Sequence, residues 1–398
     1  MTRTFSRTAA VVLAGSLLVA GCAGGGGGQG GSERPAHPVF SKDADLQPFA
    51  ALNATKDAKN ASFRQTLTFA SPQGTAVLTS TGHMDFTLSR AQATRTWSVA
   101  KGVPEDTRKL FLGDSAGGAP ATGRRIAVDT QAIRIRPDNA GYWLRYDAQS
   151  GGKDITDLRG SSAPYGGTLL ESLASTGNVT VRPAAGGGRT YSSKLALNAV
   201  SVLLPTAVQP ELAALPYEDT NTASVPFTMV VDSTGRVTRA DADLSSLLGR
   251  KDTPLAPVTS LRASLVLSGH GTSAPAMPGA AERVLDAADV VQRRGDVKPG
   301  SCVDFDTGTG SWDQMVVVPC GGAHHGRVYA QRKLSGTYPG DEGAQDKASA
   351  ACEDAYGSAP ASWRRESRER DAYWTAWPSR EEWDDGTGRY ATCYLVTG

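Results

Sequence analysis

The side chains able to do chemistry are few, and most lie towards the C-terminal end. The histidines are His37, His83, His270, His324 and His325, and the adjacent pair follows Cys320 closely. Two imidazoles near a thiol are the residue set of a metal site. Neighbouring side chains on a strand point to opposite faces, however, so the pair is expected to hydrogen-bond rather than share an ion. The phrase DFDTGTG, Asp304 to Gly310, opens like a calcium loop. It lacks the third ligand, the glycine at the sixth place and the closing glutamate, and reads as a turn. Glu381, Glu382, Asp384 and Asp385 surround Trp383 in what reads as a solvated loop. The run RRESRER, Arg364 to Arg370, interleaves both signs and reads as an exposed face. No G-x-S-x-G elbow, H-E-x-x-H pair or G-x-x-x-x-G-K-S/T loop occurs. Without a catalytic residue, a metal-ligand set or a cofactor motif, the chain is expected not to be an enzyme.

One further thiol, Cys22, closes an apolar run near the start. Arg3 and Arg7 give a positive beginning, and Ala9 to Ala20 has the length of a signal h-region, too short for a final bilayer span. The stretch LVAGC, Leu18 to Cys22, resembles a bacterial lipobox. That resemblance implies a diacylglyceryl group on Cys22, which becomes the first residue of the mature chain and carries acyl chains such as palmitate. A plain secretory signal with an incidental cysteine is the alternative. Two acyl chains, at roughly 0.8 kcal/mol per buried methylene, anchor firmly where one is marginal. The glycine-rich stretch after it, Ala23 to Pro38, has no apolar pattern and is expected to be a tether with a reach of ~20–25 Å. The expectation is a leader over 1–21, a tether over 22–44 and a chain held on the extracytoplasmic face of the cell membrane.

At 398 residues the chain is longer than one core usually serves, and its net charge of +1 gives no electrostatic reason for a nucleic-acid partner. The other cysteines, Cys302, Cys320, Cys352 and Cys393, cluster at the end. In an exported chain that even count reads as two disulfides, since the CxxC knuckles of a zinc site are missing. Of the three possible connectivities, nearest-neighbour pairing, Cys302–Cys320 and Cys352–Cys393, is expected. The stretch GTSAPAMPGAAE, Gly271 to Glu282, has linker composition. The division is therefore a middle domain over 45–270, a linker over 271–294 and an end domain over 295–398.

The middle domain reads as one helix followed mostly by strands. Leu46, Phe49, Ala50 and Asn53 fall on one helical face. In SFRQTLTFA, Phe63, Leu67 and Phe69 alternate with Arg64, Thr66 and Thr68. Leu78, Met84 and Phe86 continue an apolar face, Ile133 and Ile135 oppose Arg134 and Arg136, and Tyr142, Leu144 and Tyr146 return after PDNAG. Asp232 to Gly235 form the turn of a hairpin whose Arg239, Asp241 and Asp243 face water. TLLESLAST, from Thr168, carries a capping-box pattern, and QPELAAL supplies another helical piece. Eight to eleven antiparallel strands with a few helices make an α+β domain.

The order of helix, meander with GYWLRYD, helix LLESLAST, then VPFTMVVDSTGRVTRADADLS and TSLRASLVLSGHG resembles the LppX/LprG-type lipoproteins of actinobacteria. The resemblance implies a LolA/LolB-like fold, in which a strongly curved antiparallel sheet carries helices on its concave side around an apolar cavity for acyl chains. Under it, Leu67, Phe69, Leu78, Met84, Phe86, Ile133, Ile135, Ala240 and Ala242 are the candidate ligand-binding residues. Periodicity alone favours a filled core; small inward candidates, among them Ala76, Ser80 and Gly82, lean towards a hollow interior.

The end domain reads as two strands flanked by Cys302 and Cys320, a helix with Ala348, Ala351, Cys352 and Ala355 on one face, and two more strands, the last holding Cys393. The phrases PGSCVDFD, VVVPCGGAHHGRVYA, AACEDAYG and WPSREEWDDGTGRYATCYL resemble the septum-formation domain family of actinobacterial envelope proteins. The resemblance implies a link to envelope growth or division and no known reaction. Trp363, Tyr373, Trp374, Trp377 and Trp383 are expected to be mostly core, with an exposed one or two able to anchor a protein or glycan. The whole reads as a membrane-anchored envelope lipoprotein that binds or carries a lipid or other apolar ligand and docks a partner. A scaffold with no ligand cavity is the alternative.

Overall fold

The computed structural model describes residues 37–112, 123–137, 140–147, 170–171, 177–196, 204–205, 208, 211–212, 224–272, 274–308, 313–367, 373–385 and 388–397. The expected leader, Cys22 and most of the helical pieces expected at LLESLAST and QPELAAL lie outside them.

Burial begins inside the span expected to be tether. A 3-10 turn over Pro38–Ser41 seats Val39 and Phe40 in the core. Helix α1, Gln47–Asp57, follows, but not on the expected face. Leu46 and Phe49 are 56% and 54% exposed, whereas Gln47, Pro48, Ala51, Leu52 and Thr55 are buried. The cause is polar. The Gln47 amide donates to the Lys42 carbonyl at 2.7 Å, and its oxygen accepts from Arg189 at 2.6 Å and Tyr191 at 2.8 Å. A buried amide with these partners fixes the helix rotation, because leaving it unpaired costs more than exposing Phe49.

Eleven strands follow: β1 Asn60–Ser71, β2 Gly74–Asp85, β3 Arg90–Val99, β4 Arg124–Val128, β5 Ala132–Arg136, β6 Trp143–Asp147, β7 Thr180–Pro183, β8 Arg189–Ala196, β9 Ser224–Val231, β10 Val237–Asp243 and β11 Ser260–Ser268. They form one sheet with β12, Val284–Asp286, in the spatial order β12-β6-β5-β4-β3-β2-β1-β11-β10-β9-β8-β7. The central strand β1 pairs antiparallel with both β2 and β11, and β12 adds to β6 in parallel. Alternation sets the faces. Phe63, Leu67 and Phe69 point into the core while Arg64, Thr66 and Thr68 point out. On β10, Ala240 and Ala242 are inward and Arg239, Asp241 and Asp243 outward. The β9–β10 turn is tied by Asp232 Oδ1, which accepts from the Thr234 and Arg236 amides, with Gly235 at φ 72°. Helix α2, Glu105–Leu112, packs against β3.

The span 271–294, expected to be a linker, is largely built into the fold. After β12 the short helix α3, Ala287–Val290, leads straight into β13, Val291–Arg293, which belongs to a second sheet. That sheet has the order β13-β15-β14-β16-β18-β17, with β14 Cys302–Asp304, β15 Gln314–Val318, β16 Gly326–Lys333, β17 Trp374–Ala376 and β18 Tyr390–Val396. Helix α4, Asp341–Tyr356, packs on it through Ala344, Ala348, Cys352 and Ala355. A shorter helix, α5, spans Ala361–Glu366. From His37 on, the described residues form one compact unit, and a shared apolar cluster of Ala140, Tyr142, Leu144, Cys302, Val316 and Val318 closes the seam between the sheets. Composition suggested a linker; β12 instead pairs its backbone with β6, and acids in and before it meet arginines of β5 and β6, with Arg145–Asp286 at 2.8 Å and Arg136–Glu282 at 4.0 Å. Among the described residues, no helix is long and apolar enough to cross a membrane.

The acidic run at 381–385 is a helix, α6 Arg380–Asp385, rather than a solvated loop. Ser379 and Glu382 form a reciprocal cap: the Ser379 amide donates to Glu382 Oε2 at 2.8 Å, and the Glu382 amide to Ser379 Oγ at 3.3 Å. The signature S-x-x-E is present in the sequence. Trp383 is fully buried, and its indole donates to the Gly336 carbonyl.

Candidate functional site

The apolar candidates come together. Leu67 and Phe69 on β1, Leu78 and Met84 on β2, Phe86 just after it, Ile133 and Ile135 on β5, and Ala240 and Ala242 on β10 share one buried cluster, none more than 6% exposed. Strand alternation puts them on one side of the large sheet. Ala76 and Ser80 join them as buried residues. Gly82 does not leave volume, as its size suggested. A Cβ there would lie 1.9 Å from the Gln92 carbonyl oxygen, so the neighbouring backbone already fills the place.

Beside this cluster, under α2, lies a pocket lined by Phe69, Ala76, Val103, Thr107, Phe111 and Val258. Its empty volume is about 190 Å³, counting space open to solvent. Thr107 fixes α2 by donating to the Pro254 carbonyl at 2.5 Å, and the Phe111 ring sits 4.7 Å from both Phe69 and Trp97. The lining is mostly apolar, but the space is too narrow to take even a water molecule, so as it stands it is a gap in the packing.

A second constellation lies at the seam between the sheets. Asp304, on β14, is 3% exposed. Its Oδ2 accepts from the Tyr142 hydroxyl at 2.5 Å, and its Oδ1 lies 3.0 Å from His325 Nδ1 and accepts from the His325 amide at 3.0 Å. Burial works to raise the Asp304 carboxyl, but hydrogen bonds from His325 and Tyr142 and the His325 charge outweigh it and hold its pKa below the usual value. His325 responds in the opposite sense: the hydrogen bond to Asp304 raises it, burial opposes, and the charges of Asp304 and Asp306 add to the rise. Tyr142 is pushed up by burial and by facing Asp304. Two further ties follow. Arg124 pairs with Asp306 at 2.9 Å, and the Tyr146 hydroxyl donates to the Thr307 carbonyl at 2.5 Å.

The sequence reading named His325 and the Asp304 phrase but did not connect them, and it missed Tyr142 as a polar partner. The available signal was an acid two places after a cysteine in a short strand, which puts both on one face. His324 and His325 sit in the loop before β16, not on a strand, because the turn at Gly321 and Gly322 delays the sheet until Gly326. Their rings go separate ways, His324 Nδ1 lying 2.9 Å from the Gly322 carbonyl. Among the described residues, no group of three or more His, Cys, Asp or Glu side chains could hold a metal ion. Both disulfides, Cys302–Cys320 and Cys352–Cys393, are formed. The aromatic set divides: Trp383 is core, while Trp363 is half-buried under the Arg327 guanidinium, 5.1 Å from its ring centroid.

No family model and no curated protein matches the chain. Among solved structures, the chain is similar to LprF from Mycobacterium bovis, at 11% identity and a TM-score of 0.33, over 59% of this chain and 96% of that one. It is also similar to the Mycobacterium tuberculosis lipoprotein LppX, at 14% identity and a TM-score of 0.32, over 56% and 93%. An uncharacterized conserved protein from Thermus thermophilus follows at 8% identity and a TM-score of 0.23, over 59% and 96%. Likeness at this level assigns neither a ligand nor a role to this chain.

Proposed function

We propose that this chain is a non-catalytic, membrane-anchored lipoprotein of the cell envelope whose large sheet binds or carries a lipid or other apolar ligand. The carrying observation is the apolar side of the twelve-stranded sheet, continuous from Ile133 and Ile135 on β5 through Leu67, Phe69, Leu78 and Met84 to Ala240 and Ala242 on β10. Among the described residues, α1 packs on β10 and α2 on β3, and both helices are short. In this reading the ligand enters beside Phe111 and lies along the cluster. Strong curvature of the sheet and helices on its concave side belong to the same reading. Cys22 carries the acyl anchor, residues 22–44 include the tether, and the part from 295 onward docks an envelope protein or glycan, linked to growth or division.

A second reading is a scaffold with no ligand cavity. It is favoured by the close packing of the candidate residues and by the pocket under α2, which is too narrow to take even a water molecule. Mass spectrometry of the intact chain, gently extracted from its native source, separates the two. A co-purifying lipid that is lost in Ala242→Trp supports the carrier. A folded chain that is reproducibly empty overturns it and leaves the scaffold. For the anchor, a Cys22→Ala chain that still fractionates with membranes overturns lipid attachment.

A further inference from the structure

The seam between the sheets is held at one point by a buried charge. Tyr142 reaches across from the large sheet, Asp304 receives it on the small one, and His325 closes the contact from the solvent side, its side chain 40% exposed. Of these groups only the imidazole is both half open to water and able to change charge near neutral pH.

Its surroundings are specific. The charged groups bearing on His325 are Asp304 and Asp306, and Asp306 is already held by Arg124 at 2.9 Å. Phe305 lies beside its ring at a centroid distance of 6.3 Å and itself rests on Tyr394 of β18. Thr397 donates its amide to the His325 carbonyl, and His324 turns away towards Gly322. From the large sheet, Tyr142 faces Asp304, and Arg283 acts on Tyr142. Asp304 therefore has one mobile counter-charge, the imidazolium. Once that proton leaves, the buried carboxylate keeps its hydrogen bonds but loses its opposite charge, and closing the seam over it becomes less favourable.

We propose that the Tyr142–Asp304–His325 contact is a pH-sensitive joint that holds the small sheet on the large one when His325 is protonated and loosens when it is not. The sign follows from linkage. His325 is raised, so its contribution is complete below its unfolded value of about 6.5 and is lost as pH rises through its folded value. Asp304 is lowered, so its contribution is present above its unfolded value of about 3.9 and is lost as pH falls through its folded value. The joint is tightest between the two. Each unit by which the folded imidazole exceeds its free value corresponds to about a tenfold change in the closing equilibrium.

Hydrogen exchange on the full chain, at about pH 6 and pH 8.5 and corrected for intrinsic rates, reads the joint directly. Amides in the segments 140–147 and 302–308 should exchange several-fold faster at the higher pH, with the core of β1 unchanged. In His325→Gln the difference should vanish, and exchange should match the wild type at high pH. A second readout is the NMR titration of His325, which should move down in Asp304→Asn; if that variant does not fold, His325→Gln decides alone. Equal seam exchange at the two pH values, or a pH dependence that survives in His325→Gln, overturns the proposal.

Discussion

Arg145 on β6 and Asp286 on β12 face each other in register on neighbouring parallel strands, their charged groups 2.8 Å apart. The pair lies beside a like-charged one, since Arg134 and Arg145 are directly opposite across β5 and β6. Arg134 is answered by Asp129 at 2.6 Å, and the acid for Arg145 comes from β12, whose segment forms a strap along the sheet's edge. The β12 segment thus attaches where the large sheet has charge to neutralise. Both side chains are about a third exposed, so Asp286→Asn alone should cost below about 1 kcal/mol. Combined with Glu282→Ala, which also removes the acceptor of the Trp143 indole, it should expose residues 271–283 to limited proteolysis under native conditions. Unchanged cleavage would show that backbone pairing alone holds the strap.

Thr55 does two jobs inside α1. Its hydroxyl donates to the Ala51 carbonyl at 2.7 Å and accepts from the Val237 amide at 2.8 Å, where the β9–β10 register shifts. Thr55→Val keeps the shape and leaves that buried amide unpaired. Denaturant unfolding should show a loss of about 1–3 kcal/mol, and Thr55→Ser should recover most of it.

Gly82 is set by its neighbour's backbone. An added methyl would meet the Gln92 carbonyl at 1.9 Å and the Ala93 Cα at 2.7 Å, neither of which can swing aside. Gly82→Ala should destabilise by about 1–3 kcal/mol. Gly141→Ala, where nothing lies within 4 Å, is the control and should change stability by less than about 0.5 kcal/mol.

The disulfides should open in order. Cys352 and Cys393 are both fully buried, whereas Cys320 is exposed. Graded reduction followed by alkylation and mass mapping should label Cys302 and Cys320 first. The separations of 18 and 41 residues predict losses of about 3 and 4 kcal/mol by the chain-entropy model when each bond is replaced by a serine pair.

Much of the large sheet was legible. Alternation identified the inward sides of β1, β5 and β10, because one face meets oil and the other water over many residues. The helix face was not. Phe49 outranks Gln47 on any apolar pattern, yet Gln47 is inside, held by Arg189 and Tyr191 more than a hundred positions away. The strap was missed for a similar reason: Gly, Ala and Pro composition conceals Glu282 and Asp286, whose value depends on arginines that only the fold brings near. At the seam, Asp304 looked like the start of a turn because its partner Tyr142 lies 162 residues earlier. Local chemistry is readable from a window; pairing at a distance is not.

Only α3, Ala287–Val290, separates the strand that completes one sheet from the strand that opens the other. Four residues leave no slack between the two sheets, so a displacement of β12 along the edge of the large sheet is passed at once to β13 and the edge of the small one.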